Sequence, residues 1–262
     1  MFRPVVPSGG IAGWRFLERT YASQTAAFNK SPSVTRSTDY FRQNIGKIAS
    51  AEQLVKDRRM LEVALGAFGL QDDIDNRYFI RKMLEEGSKN DDALSNKLSD
   101  DRYKAFVKAF GFGPGEVLQV NRPGFADGIV ANFLANSFEV AMGEQDETMR
   151  IALYAQRTLS DTISAKSSND AKWFSVMGQP PLRSLFETAL NLPKAFGQID
   201  IDQQLSVFKE RATKVFGSAE LTQFNDPKAI DDLVTKYIAR SQIASLGSGA
   251  SSNSIALTIL QS

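Results

Sequence analysis

The side chains best suited to acid–base chemistry in this sequence are clustered carboxylates, because the chain contains no histidine and no cysteine. The three clusters are Asp72-Asp73-Asp75, Asp100-Asp101 and Asp200-Asp202. Each comes just before a predicted helix, where a carboxylate accepts hydrogen bonds from free backbone N–H groups and meets the positive end of the helix dipole. Because capping accounts for these clusters, we predict that they are structural and that no residue is catalytic.

The missing residue types exclude several kinds of site. Without cysteine and histidine there are no disulfides, no zinc sites built from these residues, and no Ser-His or Cys-His catalysis. No aspartate cluster matches a calcium loop, and the glycine-rich residues 111–115 lack the Gly-Lys-Ser/Thr ending of a phosphate loop. We therefore expect no metal and no cofactor. A carboxylate-based enzyme stays open as an alternative, and it would need a buried pair among the clusters or among Glu139, Glu144 and Glu147.

The charge balance and the lack of targeting segments limit the partners. The chain has 31 basic and 30 acidic residues, a formal net charge of +1. A basic cluster, Lys56, Arg58 and Arg59, alternates with acidic residues, which indicates a solvated helix face rather than a nucleic-acid patch. No stretch has the apolar core of a signal peptide or the ~20 apolar residues of a membrane span. We expect a cytoplasmic protein with no nucleic-acid partner and no membrane span.

The elements that position these residues are helical nearly throughout, because apolar residues recur at three- and four-residue spacing and strand-like alternation is rare. Ser50 and Gln53 have the spacing of a capping box at the start of one helix that would end at Gly69. Asp75 is predicted to cap the next helix, and Gly111 to end a later one. The sequence predicts an all-α fold, an array of short to medium helices with flexible termini.

The chain is predicted to have three parts, which are an N-terminal arm and amphipathic helix (residues 1–36), a helical body (37–246, with candidate halves 37–124 and 125–246) and a flexible tail (247–262). Residues 61–75 share a weak similarity with residues 186–202. This similarity raises the hypothesis of a duplicated helix–loop–helix unit.

Both ends of the chain carry apolar segments next to flexible sequence. The N-terminal residues fall close to a heptad seam, and the C-terminal ones follow a tether of small polar residues. One interpretation is that both segments fold onto the body, and the other is that they pack against a partner or a second subunit. On the second, the candidate partner-binding residues are Trp14, Leu17, Tyr21, Phe28, Ile255, Leu257, Ile259 and Leu260.

Several segments together carry a family resemblance. They are residues 53–70 (QLVKDRRMLEVALGAFGL), 78–87 (YFIRKMLEEG), 96–100 (NKLSD), 110–112 (FGF), 184–190 (SLFETAL) and 200–203 (DIDQ). From about residue 15 to residue 245 the chain resembles the alphaproteobacterial domain-of-unknown-function family twelve-seventeen, whose genes often lie among flagellar genes. That family has no established catalytic residues, so the resemblance assigns none here.

The resemblance implies a flagellum-associated structural or interaction protein, either an exported component without a cleaved signal peptide or an assembly factor. Its partners would be other proteins, namely flagellar components or further copies of the chain. A cytoplasmic accessory or adaptor protein unrelated to export is the alternative.

Overall fold

The computed structural model describes residues 2–260, with side chains described at all of these positions except 194 and 247–260. Over these residues the chain forms α-helices and short 3₁₀ helices and no strand, which confirms the predicted all-α fold. No helix in this range is both long enough and apolar enough to cross a lipid bilayer. The chain divides into two compact units, unit 1 (Met1–Pro4 and Tyr21–Met142) and unit 2 (Val5–Thr20 and Gly143–Ser262).

Unit 1 is built around one buried helix. The first helix of the chain, α1 (Gly10–Asn29), contributes its second half to this unit. The other helices are α2 (Pro32–Asn44), α3 (Ala51–Lys56), α4 (Arg58–Gly66), α5 (Arg77–Glu86), α6 (Leu94–Lys97), α7 (Asp101–Phe110) and α8 (Phe125–Gly143). Six of the nine residues of α4 are buried, and this helix packs against α2 and α3. Asn136 on α8 donates a 2.9 Å hydrogen bond to the carbonyl of Ala67, which ties α8 to the end of α4.

Most helix ends of unit 1 follow local sequence signals. The Ser50 hydroxyl accepts a 3.2 Å hydrogen bond from the N–H of Gln53, as the capping box predicts. Gly111 ends α7 with a φ of 69°, a left-handed conformation that glycine adopts at low cost. The prediction for Asp75 is wrong, because α5 begins after Asn76 and the Asp75 carboxylate instead pairs with Arg58 at 2.6 Å.

The predicted single helix from residue 50 to residue 69 is broken at Asp57. This residue is extended (φ −92°, ψ 98°) and separates α3 from α4. Its Oδ1 accepts hydrogen bonds from the N–H groups of Arg59 and Met60, each at 3.1 Å, so it caps α4. Its Oδ2 accepts a 2.7 Å hydrogen bond from the Tyr40 hydroxyl. A hydrogen-bonded cap and a tertiary partner therefore outweigh the continuous helical pattern.

Unit 2 contains the first half of α1 and the helices α9 (Glu147–Ser164), α10 (Asn169–Gly178), α11 (Pro180–Ala189), α12 (Ile201–Phe216) and α13 (Pro227–Leu260). In this unit α9 packs against α10, α11 and α13. Trp173 lies in the core, where its ring stacks on Phe208 and meets Phe186 edge-to-face, with centroids 5.4 and 5.3 Å apart. Its Nε1 donates a 3.0 Å hydrogen bond to the carbonyl of Ala219, so the buried indole keeps a polar partner.

The chain passes from unit 1 to unit 2 for the last time between Met142 and Gly143, whereas the candidate halves from sequence meet at residue 124. One physical reason is the close packing of α8 on α4, where a Cβ at Gly66 would lie 2.8 Å from the Phe133 ring.

The two similar segments, residues 61–75 and 186–202, fall in different units. In each, an α-helix is followed by a 3₁₀ helix, and another α-helix begins at Ile201 within the second segment and at Arg77, just after the first. The tail predicted for residues 247–262 lies outside the residues whose side chains are described.

Candidate functional site

The N-terminal residues predicted to contact a partner are buried or half-buried. Trp14 and Leu17 are fully buried, and Phe28 is 3% exposed. The half-buried Tyr21 packs edge-to-face on Phe138 with ring centroids 5.5 Å apart, and Phe28 meets the same ring at 5.7 Å. Burial removes Trp14, Leu17 and Phe28 from any free surface, and it favours the interpretation in which the helix folds onto the body.

The C-terminal candidates cannot be placed in the same way. Ile255, Leu257, Ile259 and Leu260 belong to the range of α13, but their side chains lie outside the described residues. Their proposed role in partner binding stays a prediction.

Two of the aspartate clusters cap helices as expected. Oδ1 of Asp100 accepts a 3.0 Å hydrogen bond from the N–H of Arg102, and the same carboxylate pairs with the Arg102 guanidinium at 2.6 Å. Oδ1 of Asp200 accepts a 2.9 Å hydrogen bond from the N–H of Asp202 at the start of α12. Both carboxylates therefore have structural partners at helix N-termini.

The three aspartates of the third cluster lie in different environments. Asp73 accepts a 2.6 Å hydrogen bond from the Tyr103 hydroxyl, and burial together with this bond raises the pKa of Tyr103. Asp72 is exposed, and Asp75 is the partner of Arg58. The Arg58 guanidinium lowers the pKa of Asp75 through a hydrogen bond and its charge. The structure thus brings no two of these carboxylates together as a buried pair.

Among the glutamates named as enzyme candidates, Glu139 is buried at 3% exposure, whereas Glu144 and Glu147 are exposed. Glu147 forms an ion pair with Arg150 one turn away on α9. In the part of the chain that the structure describes, no group of three or more acidic side chains is arranged to hold a metal ion.

Unit 1 carries an open groove of about 1050 Å³ between α7, α8 and the loop of residues 111–124 that joins them. From α7, Ala105, Lys108 and Ala109 line it, and they share one face because they are three and four residues apart. Further lining residues come from the first two turns of α8, namely Phe125, Gly128, Ile129, Ala131 and Asn132. The helix faces along the groove are thus mostly small or apolar.

A carboxylate of the joining loop fixes the position of that loop. Oε1 of Glu116 accepts hydrogen bonds from the backbone N–H and the hydroxyl of Ser88, at 2.6 and 2.7 Å. The Lys89 ammonium donates to the carbonyl of Gly115 in the same loop. These contacts hold the loop against the segment that follows α5, so the chain itself forms this side of the groove.

Two glycines allow the loop to approach so closely. A Cβ at Gly113 would lie 2.3 Å from the Cα of Gly87, a distance that side chains essentially never reach. A Cβ at Gly111 would lie 2.2 Å from the carbonyl oxygen of Val117. Within the glycine-rich residues 111–115, which resemble a phosphate loop only superficially, Gly111 and Gly113 are therefore needed for close backbone packing.

The charged residues along the groove are mostly basic. Lys89, Lys108 and Arg122 line it and are exposed. Glu116 is the one acidic residue among the groove's described lining, and it is engaged by Ser88. Over the residues with described side chains, none of these three cations forms an ion pair. The residues that line the groove therefore carry more positive than negative charge.

The loop also presents an apolar side chain to water at the groove. Val117 is 70% exposed and lines the groove, so the surface available to a partner extends from the two helices onto the loop. Because Val117 lines the same groove as the apolar helix residues, it extends a contiguous apolar patch, and such patches mark interaction sites.

The sequence predicts only a connecting loop for residues 113–124, and it does not predict the groove. The available signal is the small residues on the helices at both ends of that loop, Ala105 and Ala109 on α7 and Gly128 and Ala131 on α8. Helical spacing places each pair along the groove, but the pattern alone does not show that the two faces border one cavity.

The family described as "Protein of unknown function (DUF1217)" matches residues 67–257, which is most of the chain. The chain belongs to the DUF1217 family. This is the family that the sequence segments resemble, so the expected membership is confirmed. The groove of this DUF1217 protein, lined by residues between Phe68 and Asn132, lies entirely within the matched range.

One solved structure supports the fold. A crystal structure of an Agrobacterium tumefaciens protein, determined as a structural genomics target, is similar with a TM-score of 0.73 and 24% sequence identity. The similarity covers 92% of this chain and 99% of that chain. At this identity it shows a shared fold and carries nothing about function. No curated protein matches the sequence.

Proposed function

We propose that this DUF1217 protein works by binding another protein in the groove of unit 1, without catalysing a reaction. The observation that carries this proposal is the open groove of about 1050 Å³ with small and apolar sides. Covering apolar surface is favourable by about 25 cal/mol per Å². Protein interfaces combine an apolar centre with a polar rim, and here Lys108 and Arg122 supply the rim.

The roles of the acidic residues support the non-catalytic part of the proposal. Asp100 and Asp200 cap helices, and Asp75 pairs with an arginine, so each of these carboxylates already has a structural task. An acid–base pair would instead need two carboxylates in one environment that separates their pKa values.

The family resemblance extends the proposal to the flagellum. In this account the protein is either a component exported without a cleaved signal peptide or an assembly factor that stays in the cytoplasm. Its partners are flagellar components or further copies of the chain. Both versions need a binding surface, and the groove supplies one.

Two matched variants test the role of the groove. Ala105→Trp places a bulky ring in the groove, whereas Lys104→Trp adds the same bulk at an exposed neighbouring position that does not line it. An epitope-tagged copy of each is expressed in a motile alphaproteobacterial host, and the co-purified proteins are compared. We expect a defined flagellar partner with the wild-type protein and Lys104→Trp, and its loss with Ala105→Trp. Equal recovery with both variants would contradict a role for the groove.

The same tagged protein separates the two flagellar versions. Its amount in the cell pellet and the culture supernatant is compared between the parent strain and a strain without the flagellar export gate. Appearance outside the cell only in the parent identifies an exported component. Retention in both strains identifies an assembly factor, and a partner set without any flagellar protein would contradict the flagellar assignment.

A further inference from the structure

We infer that the groove of unit 1 accepts an amphipathic helix of a partner protein, with its apolar face in the groove and carboxylates along its flank. The inference rests on the proposed function, because it specifies the chemistry of the partner that the groove binds. It is carried by two independent features of the groove, the small side chains along both helices and the excess of positive charge at the rim.

The small residues favour a helical occupant. Ala105 and Ala109 follow each other one turn apart on α7, and Gly128 and Ala131 stand at helical spacing on α8. Small side chains allow another backbone to approach closely, so a third helix can lie along these faces at an ordinary interaxial distance of about 8–10 Å. The exposed Val117 then adds an apolar contact from the loop.

The charges favour acidic residues on that helix. Lys89, Lys108 and Arg122 line the groove, and no ion pair neutralises any of them in the part of the chain with described side chains. Glu116 supplies one negative charge against these three positive ones, so it does not offset them fully. The whole chain carries a net charge of only +1, so the excess is local to this surface. An opposite charge beside the apolar contact improves complementarity and steers association.

Other occupants match the groove less well. Nucleic-acid binding sites combine phosphate-contacting cations with exposed aromatic platforms for the bases, whereas the two aromatic residues that line this groove, Phe68 and Phe125, are half-buried. The C-terminal segment of a second copy, residues 251–262, contains the mostly apolar run 255–260 but no acidic side chain. Both occupants are therefore controls in the binding experiment.

The experiment uses the full-length protein and three designed helical peptides of about 14 residues, or two heptads. All have the same leucine face, and the flanking positions are glutamate, glutamine or lysine. Binding is measured by fluorescence anisotropy, and a peptide of residues 251–262 and a single-stranded oligonucleotide are measured alongside. We expect affinity to fall in the order glutamate, glutamine, lysine, with the other two ligands weaker than the glutamate peptide.

A charge-reversal pair locates the binding. Lys108→Glu changes a residue that lines the groove, and Lys104→Glu makes the same change one turn away on α7, outside the groove. We expect Lys108→Glu to weaken the glutamate peptide about fivefold and to strengthen the lysine peptide, as for an exposed ion pair. Lys104→Glu is expected to change neither.

Equal affinity for the three peptides, the absence of binding, or tighter binding of the tail peptide or the oligonucleotide would overturn the inference. The proposed function fails separately, when the partner of the tagged protein co-purifies as well with Ala105→Trp as with Lys104→Trp. A partner lost with Ala105→Trp, together with peptides that do not discriminate charge, would leave the function standing and refute only the acidic helix.

Discussion

The carboxylate of Glu116 accepts two hydrogen bonds from Ser88, one from its backbone N–H at 2.6 Å and one from its hydroxyl at 2.7 Å. The two residues are 28 positions apart in the sequence. This contact joins the loop before α8 to the segment after α5, and it fixes the side of the groove that carries Val117.

Removing this carboxylate should loosen the loop. Glu116→Ala leaves the N–H of Ser88 without its acceptor, which costs about 1–3 kcal/mol for a group kept from water. We expect that much loss in the free energy of unfolding, measured by urea denaturation, and weaker binding of the glutamate peptide. Glu62→Ala, at an exposed position of α4, is the control and should change stability by less than about 0.5 kcal/mol. Equal effects of both substitutions would show that the loop is not held by Glu116.

The cap at Asp57 gives a second prediction. Asp57→Ala removes two hydrogen bonds to the start of α4 and the partner of the Tyr40 hydroxyl, so we expect a loss of about 1–2 kcal/mol. The Tyr40 ring also lies under the Arg59 guanidinium, 3.8 Å from its centroid, so the change should disturb this stacking. Asp72→Ala, at an exposed residue, is the matched control. A wild-type unfolding free energy for Asp57→Ala would refute its role as the cap.

The burial of Trp14 gives a third prediction. Trp14→Ala should destabilise the protein by about 3–5 kcal/mol, as is usual when a large aromatic side chain is removed from a core. Arg19→Ala, at an exposed position of α1, should have little effect. If Trp14 instead bound a partner, the monomer would unfold at the wild-type denaturant concentration and only the interaction would be lost.

The buried phenol of Tyr237 in unit 2 gives a fourth prediction, which concerns the stability of the protein at alkaline pH. Burial raises the pKa of Tyr237 to about 12. In the unfolded chain the phenol ionises near pH 10, so above that pH the native state binds more protons than the unfolded state. The stabilising contribution is therefore complete below about pH 10 and is lost as the pH rises towards 12.

Urea unfolding between pH 8 and pH 11.5 measures this loss. We expect the free energy of unfolding to fall with rising pH in the wild-type protein and to fall less steeply in Tyr237→Phe. Tyr78→Phe, which changes a side chain that is 71% exposed, should keep the wild-type slope. The same slope in all three proteins would contradict a buried, protonated Tyr237.

The helical class of the fold could be predicted because its signals are local. Gly111 and Gly217 end helices in left-handed conformations, and Asp100 and Asp200 cap the helices that follow them, all as short-range patterns predict. Apolar spacing within each helix then selects the buried face. These features depend on residues within one or two turns.

The predictions from sequence fail where a contact with a residue distant in the sequence determines the local structure. Asp75 has the position of a cap, but Arg58, 17 residues earlier, binds its carboxylate instead. Asp57 interrupts a continuous helical pattern partly because Tyr40 on α2 is within hydrogen-bonding distance. The groove is the same kind of feature, since it forms only when Ser88 and Glu116 meet and α7 and α8 border one cavity.

The most direct test of the account places a photo-crosslinking amino acid at Val117, in the groove, and separately at Tyr78, an exposed residue outside it. Cells of the motile host are irradiated, and crosslinked products of the tagged protein are identified by mass spectrometry. We expect a defined partner crosslinked from position 117 and not from position 78, through an acidic helical segment. No product from position 117, or the same products as from position 78, would contradict binding in the groove.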